Sequence, residues 1–565
     1  MPVYLVGLGI WLCCISQDQP AAIVTGHVID WKSGQPVKNA TVELTVLPNR
    51  SHDPAPENGP VGALRATHTV RSGRGGEFRF DSVTSGQYTL SAKKTGFLDS
   101  NYGATSPFQL PAILDLRAGQ TVDVAVHALP HGIICGQVTE TDGEPLDTGS
   151  IQLISTFWLR GKLRNAVVKS VVPNDLGEYR IAGLQPGTYY IRFQPRTSGG
   201  ASRNANVPVI NAITAEARDR HRPVPTYHPS AMTLREASPI VVGLGELVSG
   251  KDIVVRRAAT FAVAGSLRKA GPPPDFASVS LVPDGEEPTA VIVGNNALGP
   301  GGTFAFGDVA PGDYTLSYLA GTAQGVSVGN ASVSVLDRAI ADLVIDVVPP
   351  VSVHGSVIIE NDSGKEVSDV KVRLVTAGAA IGPSYTASVE RDGRFVFRGC
   401  SPGQYSVGVK SPTGIYLKAA RYGLADATNS PVTISAENVK LEIVLRSGAA
   451  RLSGTILPAR GTAGARGPGS GYYVVLPADR PTEQSEPRLG HSDSSGKFEV
   501  KNLAPGRYRV FGFVAPDPGA LQNPAVLKAL QAFGTEIELK EDEQATVAIH
   551  LIGADDGGRV FGLAR

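Results

Sequence analysis

The sequence predicts an all-β protein, five antiparallel sandwiches in tandem that form an elongated array. Three observations carry this. A thirteen-residue block recurs five times, beginning at Gly76, Gly177, Gly302, Gly393 and Gly496 and ending at Tyr88, Tyr189, Tyr314, Tyr405 and Tyr508. Each block follows an apolar run with a glycine inside it, as in Ile23-Val-Thr-Gly26-His-Val28 and Leu452-Ser-Gly454-Thr-Ile456. The tyrosines stand 101, 125, 91 and 103 residues apart, so one unit is a whole domain and not a solenoid repeat of about 20–50 residues.

Within the last block, Phe498 and Val500 alternate with Lys497, Glu499 and Lys501, the period of a half-buried strand. Pro505-Gly506 suits the two central positions of a type II turn, and after it Tyr508 and Val510 resume the alternation. Each block therefore reads as a hairpin. Its connection carries one more buried residue: Val83, Leu184, Val309, Cys400 or Leu503. The repeated tyrosine suits a tyrosine corner, ring in the core and hydroxyl on nearby backbone.

Opening strands recur at Ile134-Cys-Gly136, Val263-Ala-Gly265, Val353-His-Gly355 and Leu452-Ser-Gly454, and closing strands at Val122–Val126, Ile253–Val255, Leu343–Ile345, Leu441–Leu445 and Val547–Leu551. The expected boundaries are a signal-like segment at 1–16, sandwiches at 22–128, 129–257, 258–348, 349–447 and 448–553, and a tail at 554–565. Polar insertions fall at 48–66 and, longest, at 196–239. Short linkers, one stiffened by Pro349-Pro350, suggest a semi-rigid rod of roughly 150–200 Å at about 3.3 Å per strand residue. One helical pattern, Pro524 to Phe533, is placed as a cap on the fifth sandwich.

Composition bounds the rest. The 52 basic and 52 acidic residues cancel, which gives no push toward nucleic acid. Val3 to Ile15 has the length of a signal h-region, though no basic residue precedes it; Cys13 and Cys14 lack the small neighbours a lipid anchor needs. No later stretch reads as a membrane span. Cys135 and Cys400 stand in different units, so no disulfide framework is expected.

The blocks and their glycine-marked opening strands together resemble the carboxypeptidase regulatory-like domain, a prealbumin-like sandwich, over residues 22–553. The resemblance implies a Greek-key fold and non-catalytic, extracytoplasmic binding or structural work, secreted or at the cell surface. It also implies a protein or polysaccharide partner. A monomer is expected, with no cofactor. None of the ten histidines has Glu three residues on, so the zinc site of a metallocarboxypeptidase is not expected, nor any other metal or catalytic residue. Gly325-Val-Ser327-Val-Gly329 matches a nucleophile-elbow string but sits in strand-like alternation. The opening strands hold no lysine for the self-formed isopeptide bonds of related adhesin sandwiches. An array of carbohydrate-binding modules is the alternative function. Its candidate contacts are exposed aromatics: Trp31, Tyr227, Tyr472 and Tyr473.

Overall fold

The computed structural model describes residues 20–47, 68–196, 221–268, 274–284, 294–296, 298–361, 366–377, 383–435, 439–459, 469–478 and 487–562. The signal-like segment, the insertion at 48–66 and residues 197–220 of the longer insertion lie outside them.

Each repeat unit builds two sheets on one plan. In unit one the opening strand Ala22–Asp30 lies between Glu77–Val83 and the closing strand Thr121–Ala128. The second sheet pairs Thr41–Val46 with the tyrosine strand Gly86–Lys93. The core lies between them, with Val24, Val28, Val42, Leu44, Phe80, Tyr88 and Leu90 all buried. Units two to five repeat these pairings, and in unit five Gly512↔Leu551 joins the two sheets into one.

Two expectations need correction. The sandwiches are not purely antiparallel, because in every unit the closing strand runs parallel to the opening strand, as in Gly26↔Val124 and Gly454↔Val547. The repeated block is not a hairpin either. Glu77–Val83 pairs with the opening strand and Gly86–Lys93 with the second strand, so the chain crosses between sheets within the block. Alternation shows that a strand has one buried face; it does not show which neighbour supplies the hydrogen bonds.

The crossing has a fixed geometry. The seventh residue of each block is left-handed: Ser82 at φ 60°, Gly183 at 76°, Asp308 at 57°, Gly399 at 68° and Asn502 at 57°. Each lies in a β-bulge against the opening strand, where the register slips between Ala22 and Val24 and at the equivalent places. The bulge turns the next residue inward, which is why Val83, Leu184, Val309, Cys400 and Leu503 are buried. Gly506 sits at φ 146°, far from the value near +80° of a type II turn, so the strained residue is Asn502, four positions earlier.

The opening-strand glycines face the block aromatics across the sheet: Gly26↔Phe78, Gly136↔Tyr179, Gly265↔Phe304, Gly355↔Phe395 and Gly454↔Phe498. A Cβ on Gly454 would fall 2.0 Å from Phe498 Cζ, and one on Gly26 would fall 2.0 Å from the Val124 carbonyl oxygen and 2.7 Å from Phe78 Cζ. The absent side chain is the space the ring fills. Every repeated tyrosine forms its corner: Tyr88, Tyr189, Tyr314, Tyr405 and Tyr508 each donate to the carbonyl four residues back, at 2.7–3.0 Å.

The fifth unit carries additions. Asn523 caps the helix Pro524–Leu530 by accepting from Ala525 N at 2.9 Å, and Val526, Leu527 and Leu530 are buried. The expected tail folds as a second helix, Ala554–Gly562, and contributes Val560 and Phe561 to the same cluster.

The array is not extended. Unit one meets unit five: Tyr472 donates to the Pro111 carbonyl at 2.8 Å, Leu110 N donates to Pro516 O at 2.9 Å, and Gln87 Nε2 reaches Ser492 O at 3.2 Å. Unit two joins them through the tip of the hairpin formed by Gly149–Leu159 and Lys162–Val171. There Arg160 N and Gly161 N donate to the side chain and carbonyl of Gln522, and Arg160 Nη1 donates to Thr376 O in unit four. Short stiff linkers fix the turn from one unit to the next without making those turns cancel, and here they add up to closure.

Gly454→Val should lower the stability of unit five by about 2–4 kcal/mol, since Phe498 cannot keep its place. Tyr405→Phe, which removes the hydroxyl with its hydrogen bond to Ser401 O and no ring packing, should cost about 1–2 kcal/mol. Denaturant titration with a unit-resolved probe separates the two. Unit four should also be labile in alkali. Burial pushes the Cys400 thiol up from 9.0 to about 12, and burial, then the neighbouring Tyr385, raises Tyr405 above its usual 10.0. Both groups stay protonated in the folded unit where the unfolded chain ionises. Their contribution is therefore complete below pH 9.0 and is lost as pH rises above it. Melting curves over that range, repeated with Cys400→Val, should show the onset move toward the tyrosine value.

Candidate functional site

The aromatics proposed as ligand contacts do not form a common surface. Trp31 is 43% exposed, at the end of an opening strand, with its ring edge-on to His127 at 5.2 Å. Tyr227 is buried under the guanidinium of Arg192, which sits 5.6 Å from the ring centre. Tyr472 and Tyr473 are consecutive on one strand and so point to opposite faces. Tyr472 enters the cluster beneath the helices and gives its hydroxyl to Pro111, while Tyr473 lies flat on Phe498 at 4.4 Å. Tyr227 and Tyr472 are inaccessible to a sugar ring, and the Phe498 ring covers one face of Tyr473. Sequence cannot separate these cases, because a strand aromatic looks the same whether its face meets solvent, a helix or another ring.

What the structure does bring together is the segment after each tyrosine strand. In every unit it touches another unit. Gly96 O of unit one accepts from His131 N, and Leu98 N donates to Leu129 O. Arg222 of unit two pairs with Asp308 of unit three at 3.3 Å. In unit three, Gly325 packs so closely on Gly399 of unit four that a Cβ would fall 2.4 Å from the Gly399 oxygen. In unit four, Gly414 N donates to Asn502 Oδ1 of unit five at 2.8 Å, and Asn502 Nδ2 donates to Pro412 O at 3.1 Å. In unit five, Pro516 O accepts from Leu110 of unit one.

Three receiving residues, Asp308, Gly399 and Asn502, are the left-handed bulge residues of their blocks. A bulge pushes one residue out of the ladder and away from its own sheet. At that position Asp brings charge, Asn brings an amide and Gly brings contact between backbones. The block thus builds the core with its aromatics and the joint with its seventh residue. The signal was present in the sequence, since Gly, Asp, Gly and Asn in four of five copies are residues that tolerate φ > 0. The Arg160-Gly161 tip was also legible as a two-residue loop between alternating runs; with φ of 50° and 72° it is a type I′ turn.

Residues 23–128 match the carboxypeptidase regulatory-like domain family. The first unit is thus similar to a carboxypeptidase regulatory-like domain. The following units repeat this domain's glycine–aromatic pair, bulge and tyrosine corner. No curated protein matches the chain. Similar solved structures include the minor pilin GBS52 of Streptococcus agalactiae, 13% identical, covering 42% of this chain and 98% of its own with a TM-score of 0.23. The shaft pilin SpaA of Lactobacillus rhamnosus GG is 10% identical, covering 42% of this chain and 98% of its own with a TM-score of 0.20. The Bacillus anthracis TIE protein is 9% identical and spans 75% of this chain and 74% of its own, with a TM-score of 0.15. At such scores the fold rests on this chain's own sheets. No group of metal-ligating side chains and no helix long and apolar enough to cross a membrane occurs among the described residues.

Asn502→Gly keeps the left-handed backbone and deletes the amide. It should leave unit five folded and loosen its joint to unit four by about 1–2 kcal/mol. Limited proteolysis should then cut faster at 411–414, with no change in the melting of either unit.

Proposed function

We propose that the chain is a non-catalytic, extracytoplasmic structural and binding protein, in which carboxypeptidase regulatory-like modules are joined into one rigid body that serves adhesion or envelope scaffolding. The observation that supports this reading is the use made of the variable segments. The segment after the tyrosine strand differs from copy to copy, where a ligand-binding loop would be sought, and all five copies engage a neighbouring unit. The side chains that recur are spent on packing: rings on glycines, tyrosines on their own backbone, and an apolar residue after each bulge in the core. Such a molecule transmits position and load, and it offers partners a surface of fixed spacing.

Protease added to intact cells that express the tagged chain should remove it while a cytoplasmic marker survives. The purified protein should turn over no peptide, ester or glycoside substrate. Turnover abolished by a single substitution would sink the reading. Trp31 remains the accessible member of the aromatic set. A polysaccharide pull-down repeated with Trp31→Ala decides whether sugar contact accompanies the structural role, the expected result being no retention with either chain.

A further inference from the structure

The joint between units one and five, like the contact of the Arg160-Gly161 tip with unit five, has no linker to hold it. Consecutive units are tied by a few residues of chain, whereas Tyr472 and Pro111 are 361 positions apart. The receiving surface, the groove for this segment, is the edge of one apolar cluster in unit five. Tyr472, Val474, Leu476, Phe511 and Phe513 share that cluster with the helices Pro524–Leu530 and Ala554–Gly562, and Leu110 and Ile113 pack against it. The entering segment is Leu110-Pro111-Ala112-Ile113. It is read through two main-chain hydrogen bonds, Leu110 N to Pro516 O at 2.9 Å and Tyr472 hydroxyl to Pro111 O at 2.8 Å. Proline suits this role, because it presets an extended backbone and leaves its carbonyl free to accept. Burial keeps the Tyr472 hydroxyl protonated well above the usual tyrosine value, so the donor persists into alkaline solution.

We propose that this groove is an exchangeable dock, and that the 110–113 segment of a second copy of the chain can take the place of the chain's own. The plug on unit one and the groove on unit five are different surfaces of one molecule, and such a pair joins copies head to tail as readily as it closes one copy. Closure wins at low concentration because the tether gives the chain's own plug a high effective concentration. Opening also releases Gln522, which borders the groove, from Arg160 and Gly161. Once open, one chain offers its plug outward and its groove to the next. This goes beyond the structural role proposed above and stands on the groove and its occupant alone. The protease and turnover assays can fail without touching it.

Leu110→Asp combined with Ile113→Asp spoils the plug and leaves the groove intact. A labelled peptide of residues 105–116 should bind the full-length double variant and bind the wild-type chain at least tenfold more weakly, since there the groove is filled. The wild-type chain, held at high concentration through mild denaturant and returned to buffer, should yield dimers by light scattering that revert on dilution. The double variant alone should stay monomeric, with a larger radius in small-angle scattering. Unchanged melting of unit one shows that the substitutions spare its fold, and Tyr472→Phe, which keeps the ring, should weaken peptide binding without altering it. Failure of the peptide to bind the double variant overturns the proposal. Peptide binding with wild type monomeric at every concentration would assign the groove to closure alone and also overturn it.

Discussion

Each unit depends on one opposition across its first sheet, a glycine on the opening strand beneath an aromatic ring on the strand beside it. The ring lies where the glycine's side chain would be, and in units one, three and four a carbonyl of the parallel closing strand approaches the same point. A Cβ at that point would collide with the ring. Burying such a ring contributes about 1.5–3 kcal/mol. The rest of the block follows from it: the bulge one turn of alternation later, the inward residue after the bulge, and the tyrosine that locks the crossing to its own backbone. Tyr179 in unit two shows how constrained the place is. With a hydroxyl where the others have none, it has to find an acceptor, and it donates to the Lys251 carbonyl of the segment alongside.

The same bulge serves a second purpose that does not compete with the first. A residue expelled from a ladder is free of its own sheet and stands at the rim of the sandwich. Units three, four and five place there an acid, a glycine and an amide, each matched to what the preceding unit presents: Arg222, the Gln324-Gly325 turn, and the Ser411–Gly414 backbone. Joint chemistry thus changes from unit to unit while core chemistry stays constant. Rigid modules with individually fitted joints take one set of angles, and in this chain the angles bring the last unit back to the first. The closed body has its plug and its groove at that meeting point, and the hairpin tip at Arg160-Gly161 ties the fifth unit to the second beside them.

Elements distant in sequence also account for the aromatics. Tyr472 looks from its strand like half of an exposed pair, yet its face is roofed by the two C-terminal helices and its hydroxyl is engaged by unit one. Tyr227 lies in a small cluster outside the main core of unit two, beneath Arg192. In both cases the covering element is remote in sequence, and the ring alone says nothing about it.

The sequence by itself determined what is periodic and local. Two-residue alternation located the opening, block and closing strands, the block spacing set the size of a unit, and the four-residue tyrosine contact was readable because both partners lie within one turn of chain. Glycine in the opening strands was visible too, though its reason, the ring of Phe78 or Phe498 facing it, appears only when the two strands lie side by side. Everything that required knowing which strands are neighbours was decided by the tertiary structure: the parallel closing strand, the crossing of Gly76–Tyr88 from one sheet to the other, the docking of Asn502 on unit four, and the return of unit five to unit one. Alternation records that a face is buried and is silent about what buries it. Hydrogen-bond partners across a sheet and contacts between units depend on geometry summed over a hundred residues or more, and no local pattern carries that sum.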